Sequence, residues 1–228
     1  MQQAHELTVK QKFLTALASF LQRNRTLLLS AFAALLTFVI IYAIVTEIIQ
    51  SRNNRTTVLI EKAEETFEAW HAEDDEEKSA EIGADLLTTL NSIMADFPNM
   101  YAGQRGLFIR GVFFLETAQW DDAAVDFETL AERFPKSYLA PVSLINAAIA
   151  MEESANYEAA IQFYMRVILE FEDISPEIPS TLFSIARLYD SIDDKENALL
   201  FYNQLVDQYP SSSWTNLARS RIIYLKID

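Results

Sequence analysis

Acidic side chains are the commonest groups in this sequence that could do chemistry, and several stand in adjacent pairs: Asp121-Asp122, Glu152-Glu153 and Asp193-Asp194. Paired carboxylates can move protons or hold a divalent cation. Here each pair falls in or beside a polar break between apolar segments, where Asp and Glu form turns and cap helices. The densest acidic run, residues 73–77, lacks the Gly turn and alternating ligands of a calcium loop and is expected to be a solvated turn. The two histidines, His5 and His71, cannot make a His-rich metal site, and His71 is expected to be solvated beside that run. The chain has no cysteine, which excludes disulfides, thiolate catalysis, cysteine-bound zinc and lipid attachment through sulfur. Four glycines (Gly83, Gly103, Gly106, Gly111) form no phosphate-cradling motif. No catalytic, cofactor or metal residue is expected, and the chain is not read as an enzyme. With 18 basic against 33 acidic residues and a net charge of −15, nucleic acid is not an expected partner.

The elements around these groups follow from how the charge is distributed. Residues 1–25 carry Lys10, Lys12, Arg23 and Arg25 against Glu6. Residues 26–46 carry no charge, and from Glu47 onward 32 acidic residues face 14 basic ones. As a helix the uncharged run would extend about 32 Å, enough for a bilayer core of about 30 Å. It is longer than the apolar core of a secretory signal and ends without a small-x-small cleavage pattern. An uncleaved single membrane span is therefore expected. Four Lys/Arg precede it, and only Arg52 and Arg55 follow closely. That bias places the N-terminus in the cytoplasm and the acidic body on the far side, in the periplasm of a Gram-negative cell. Ahead of the span, Phe13, Leu14, Leu17, Phe20 and Leu21 recur at helical spacing, with Lys10, Lys12 and Gln22 among the polar positions. Two readings fit this segment: a helix lying on the membrane surface or against a membrane partner, and a plain extension of the span.

Six prolines and four glycines in 228 residues point to an almost wholly helical chain. Within the acidic body three segments align position by position. Trp120, Ala123, Phe127, Leu130, Phe134 and Pro135 match Tyr157, Ala160, Tyr164, Val167, Phe171 and Glu172. Both match Lys195, Ala198, Tyr202, Leu205, Tyr209 and Pro210, with successive periods of 37 and 38 residues. Twelve positions before each Ala stands a small residue (Gly111, Ala148, Ala186), followed three positions on by Phe114, Met151 or Tyr189. Each unit thus reads as two helices joined by a polar turn at 119–121, 155–157 or 193–195. The second helix presents its Ala, aromatic and aliphatic residues on one face. Pro135 and Pro210 end the second helices, and Phe97-Pro98 gives the same ending one period earlier. Residues 57–71 and 79–96 are accordingly expected to form a degenerate first repeat, and 213–226 an amphipathic capping helix.

The small residue in helix one, Ala-x-x-x-Phe in helix two and the closing Pro resemble the tetratricopeptide repeat, a helix-turn-helix unit of about 34 residues. Glu172, in place of the closing Pro, and the longer periods are the departures. The expected fold is an all-α tetratricopeptide superhelix: three clear repeats, one degenerate repeat and a capping helix, after a single transmembrane helix. The expected layout is a basic head (1–25), a transmembrane helix (26–49), a linker helix with the degenerate repeat (50–100), the repeat domain (101–213) and the cap (214–228). As a whole this layout resembles the ancillary subunit family of the Sec translocon. That resemblance implies an inner-membrane protein with a periplasmic repeat domain and translocon or chaperone partners.

The repeat resemblance also implies that the first helices of successive units line a concave, partner-binding face. By register its residues are Arg105, Phe108, Val112 and Leu115, then Val142, Ile145, Ile149 and Glu152, then Ser180, Phe183, Arg187 and Asp190. Apolar side chains dominate and only Arg105 and Arg187 are basic, so a clamp for a C-terminal carboxylate is not expected. The face suits an apolar client segment; alternatively, a terminal helix of the chain or a second copy fills it. Two functions follow: a client-handling module beside the translocon and its chaperones, or a scaffold of a secretion, division or flagellar assembly acting through surface contacts or self-association.

Overall fold

The computed structural model describes residues 9–227; the start of the basic head, with His5 and Glu6, lies outside the described residues. The described residues form ten helices and no strand. They divide into two compact units at Arg55–Thr56.

The first unit holds α1 (Val9–Arg23) and the N-terminal part of α2 (Arg25–Ala72). The uncharged run lies in α2, which is long and apolar enough to cross a membrane, and none of that stretch is buried within the protein. Three of its hydroxyls are satisfied along the helix: Ser30 donates to the Leu27 carbonyl, Thr37 to Ala33 and Thr46 to Ala43. A hydroxyl bonded in this way presents no unpaired polar group to an apolar surrounding. The sequence divides this region into a span and a separate linker helix; the structure has one helix of 48 residues. The polar junction at 50–56 contains no Pro or Gly, so nothing in it breaks the hydrogen-bond ladder.

The second unit continues from Thr56 through α3 (Glu76–Asp96), α4 (Tyr101–Glu116), α5 (Trp120–Arg133), α6 (Leu139–Glu153), α7 (Tyr157–Phe171), α8 (Ile178–Ser191), α9 (Lys195–Gln208) and α10 (Ser213–Ile227). Helices α4/α5, α6/α7 and α8/α9 are three successive pairs whose second helices keep the repeat register in the core. Ala123, Ala160 and Ala198 are fully buried, as are Phe127 and Tyr202, with Tyr164 nearly so. In α3, Leu86, Leu90 and Ile93 take the same three places and are buried too. They pack with Ile60 and Ala63 from α2. The small residues of the first helices let the second helices approach. Ala148 and Ala186 are fully buried, and a Cβ added to Gly111 would stand 2.8 Å from the Phe127 ring.

Each pair turns through the same device. Ala118, Ala155 and Asp193 adopt positive φ (58°, 60° and 62°) at equivalent positions. The next N–H then reaches back to the carbonyl of Phe114, Met151 or Tyr189, at 2.8, 2.8 and 2.9 Å. This is the Schellman closure of a helix end. The turns therefore occupy 117–119, 154–156 and 192–194, earlier than the sequence places them, because Trp120, Tyr157 and Lys195 are already helical. Asn156 and Asp194 cap the helices that follow by accepting from the N–H of Ala159 and Asn197.

The second helices end where a proline follows. Phe97, Phe134 and Tyr209 leave the helix at φ near −130° (−130°, −127°, −128°), outside the right-handed helical region that a following Pro disfavours. Glu172, where the proline is missing, stays helical at φ −50° and ψ −44°. Two further expectations are corrected. The acidic run is only partly a turn: Asp75 caps α3 by accepting from the Lys78 N–H, and Glu76 and Glu77 form its first turn, where carboxylates favour a helix N-terminus. His71 is not simply solvated, because its Nε2 lies 2.7 Å from Glu116 Oε2 and its ring meets Phe67 and Trp70.

Candidate functional site

The twelve face residues predicted from register fall on α4, α6 and α8. Eleven are half-buried and Arg187 is exposed. A side chain packed wholly into the core or standing free in water would not show this intermediate exposure. Their surroundings differ along the row. Phe108, Val112, Leu115 and Ile145 pack against the central core cluster, and Phe183 against the C-terminal one. Val142 and Ile149, on the middle helix, stand apart from the core clusters.

The charged residues of the row are tied to neighbouring helices. Arg105 Nε donates to Glu64 Oε1 of α2 at 2.9 Å, and the guanidinium lies over the Phe108 ring. Arg187 of α8 pairs with Glu152 of α6, which also accepts from the Tyr164 hydroxyl of α7 at 2.8 Å. Burial and the Glu152 charge both push the Tyr164 hydroxyl well above its ordinary range, which keeps it a donor. Asp190 of α8 pairs with Arg221 of α10, whose Nε donates at 3.1 Å. Both basic residues predicted for the face are thus matched by internal carboxylates, which leaves the row without an unpaired cation for a peptide carboxylate.

Parts of the row line separate hollows. A hollow of about 290 Å³ between α2 and α4 includes Arg105, Phe108 and Val112, with Glu64 and Phe67 opposite. One of about 340 Å³ includes Phe183, Arg187 and Asp190, with Tyr202 and Arg221. Val142 lines a third, of about 490 Å³, beside Tyr138 and Pro141. The chain's own helices flank both ends: Trp214 of α10 lies 5.2 Å from Phe183, and Glu64 of α2 holds Arg105. Sequence reasoning missed Glu64, Phe67, Trp214 and Arg221. A pairing search at about one repeat period would have found the charged ones, since the bonds to Glu64, Glu152 and Asp190 join residues 41, 35 and 31 apart.

Within the first pair, Arg110 of α4 grips Asp126 of α5 through Nε (2.7 Å) and Nη2 (2.6 Å). Asp126 is buried, and this desolvation pushes its carboxyl above the ordinary carboxylate range against the pull of Arg110. Arg166 of α7 joins Glu128 of α5 at 2.7 Å. Ion pairs thus join neighbouring helices along the stack.

The comparisons with known proteins agree with this architecture. The tetratricopeptide repeat family model matches residues 105–137 and 180–212, segments offset by the two successive periods of the internal alignment. A "TPR repeat-containing protein" of Treponema pallidum (strain Nichols) is 28% identical over 114 residues, which cover 50% of this chain and 47% of that protein. The chain thus spans about half the length of the curated relative it matches. Tetratricopeptide repeats are protein–protein interaction modules, and the chain carries them in an all-helical, superhelical stack.

Proposed function

We propose that this is a membrane-anchored interaction module whose first-helix face binds an apolar segment of a protein partner. The single observation that carries the reading is the half-buried apolar row of α4, α6 and α8, with Val142 and Ile149 outside the core and the flanking arginines already paired. Partly exposed apolar side chains gain by burial against a partner, at roughly 25 cal/mol per Å2 before ordering costs. The uncharged N-terminal part of α2 serves as the anchor in the inner membrane. By the charge bias of its flanks the repeat domain lies in the periplasm, where the translocon and chaperones supply clients with exposed apolar segments.

The test uses the full-length protein with a photocrosslinker at Asn146, between Val142 and Ile149 on α6. Adducts with a translocating chain or a chaperone, lost in Val142→Glu with Ile149→Glu while the helical signal and melting stay unchanged, support the reading. Adducts that persist in that double variant place the contact elsewhere and contradict it. A fixed set of adducts from one large assembly, or between two copies, points instead to the scaffold role. The remaining apolar exposure on α10, with Leu217 51%, Tyr224 55% and Ile227 80% exposed, is the observation that favours that second reading.

A further inference from the structure

We propose that α1 is an interfacial helix, seated with its apolar face in the boundary between headgroups and acyl chains of an anionic leaflet; this rests on the reading of α2 as a membrane span.

Three observations within the first unit lead there. The first is the break. Asn24 stands outside both helices, and its side-chain amide donates to the Phe20 carbonyl at 3.0 Å. The Asn24 N–H donates to the same carbonyl at 3.0 Å, and the helical run is interrupted at this residue, which marks a joint. Helix α1 is thus a separate element rather than the first turns of the span. The second is length. Fifteen residues rise about 22 Å, too short to cross a bilayer core of about 30 Å, so α1 is not a second span. The third is the arrangement of side chains. Phe13, Leu14, Leu17, Phe20 and Leu21 share one side and are between 43% and 66% exposed. Lys12, Ser19, Gln22 and Arg23 fall on the opposite side by helical register.

A five-residue apolar stripe of this size is not left in water when an apolar phase adjoins it. Here that phase begins within three residues of Arg23, at the start of the uncharged run. Lying in the interface, the stripe enters the acyl boundary while Lys12 and Arg23 meet anionic headgroups, together with Arg25 at the start of α2. A straight continuation of the span would carry the stripe out into the aqueous phase. Charge, length and continuity with the span all select the lipid surface as the occupant.

The chain has no cysteine, so single Cys variants report one position each. The full chain, labelled with an environment-sensitive fluorophore, is placed in vesicles of phosphatidylcholine and phosphatidylglycerol. Quenching is read with aqueous iodide and with nitroxide-bearing lipids. At Leu17→Cys and Phe20→Cys iodide should quench severalfold less than at Ser19→Cys and Gln22→Cys, while the lipid quencher shows the reverse order. Equal iodide quenching on both sides would overturn the proposal. So would Leu17 and Phe20 labels shielded from both quenchers, which would mean burial against protein. Lys12→Glu with Arg23→Glu should raise iodide quenching at Leu17→Cys severalfold, and no change would overturn the role given to anionic headgroups. A label at Leu35→Cys reports the span itself. If that label is open to iodide, the reading of α2 has failed, whatever α1 does.

Discussion

At Ala118 and Ala155 a Cβ-bearing residue is held in left-handed backbone, a conformation that costs an alanine roughly 1–2 kcal/mol. The Schellman closures around them make that strain worth keeping, but glycine would close them without it. Ala155→Gly should therefore raise stability by about 0.5–1 kcal/mol, read as a higher urea midpoint at unchanged slope. A lowered midpoint would mean that the turn tolerates alanine without strain. The Arg110–Asp126 pair gives a second residue-scale prediction. Burial raises the Asp126 carboxyl, so the folded state holds its proton to higher pH than the unfolded chain does. Its contribution to stability is then greatest below the ordinary carboxylate range and falls as pH rises through it. Arg110→Met removes the counter-charge and exaggerates this. It should cost about 3 kcal/mol at pH 7 and clearly less at pH 4, where the buried carboxyl can protonate. A penalty independent of pH, measured by denaturant titration at both values, would show that Asp126 is not the group left unpaired.

At the scale of elements, the small residue of each first helix and the aromatic of the second are the packing unit. Ala186 is fully buried beside Tyr202, so Ala186→Leu should overpack and cost about 1–3 kcal/mol. Unchanged thermal melting would break the repeat register. This register is legible in the sequence because six positions recur at fixed spacing, and packing at helix pairs follows residue size and period. The endings were legible for the same local reason: a following Pro restricts Phe97, Phe134 and Tyr209, and Glu172 does not restrict Phe171. What the sequence hid was set by context. The polar stretch at 50–56 looks like a linker, yet no residue in it breaks a helix. The acidic run looks too charged to fold, yet Asp75 caps a helix and the two glutamates after it favour the N-terminus of α3. Ala118 and Ala155 carry no turn signature, because the usual marker of left-handed backbone is glycine. The partners of Arg105 and Arg187 were hidden too, since they lie on other helices about a period away.

For the whole molecule, the acidic excess acts as a field. From Glu47 onward the chain carries 32 acidic against 14 basic residues, and Arg105, Arg110, Arg166, Arg187 and Arg221 are held in internal ion pairs. The outer surface is left rich in carboxylates that repel one another. Screening should relieve that repulsion, so the melting temperature of the detergent-solubilised protein should rise between low salt and about 0.15 M, where the Debye length falls to about 8 Å. A fall would mean that the ion pairs outweigh the net charge. The proposed function rests at this scale on where the repeat domain stands: it requires the apolar stretch of α2 to anchor the chain and the face of α4, α6 and α8 to lie on the far side of that membrane. Labelling of single cysteines in intact spheroplasts with a membrane-impermeant maleimide tests this most directly. Ser211→Cys, between α9 and α10, should label at once, and Gln22→Cys, before the span, only after the membrane is permeabilised. Labelling of Gln22→Cys alone, or of neither position until the membrane is opened, would put the domain in the cytoplasm and contradict the proposed role.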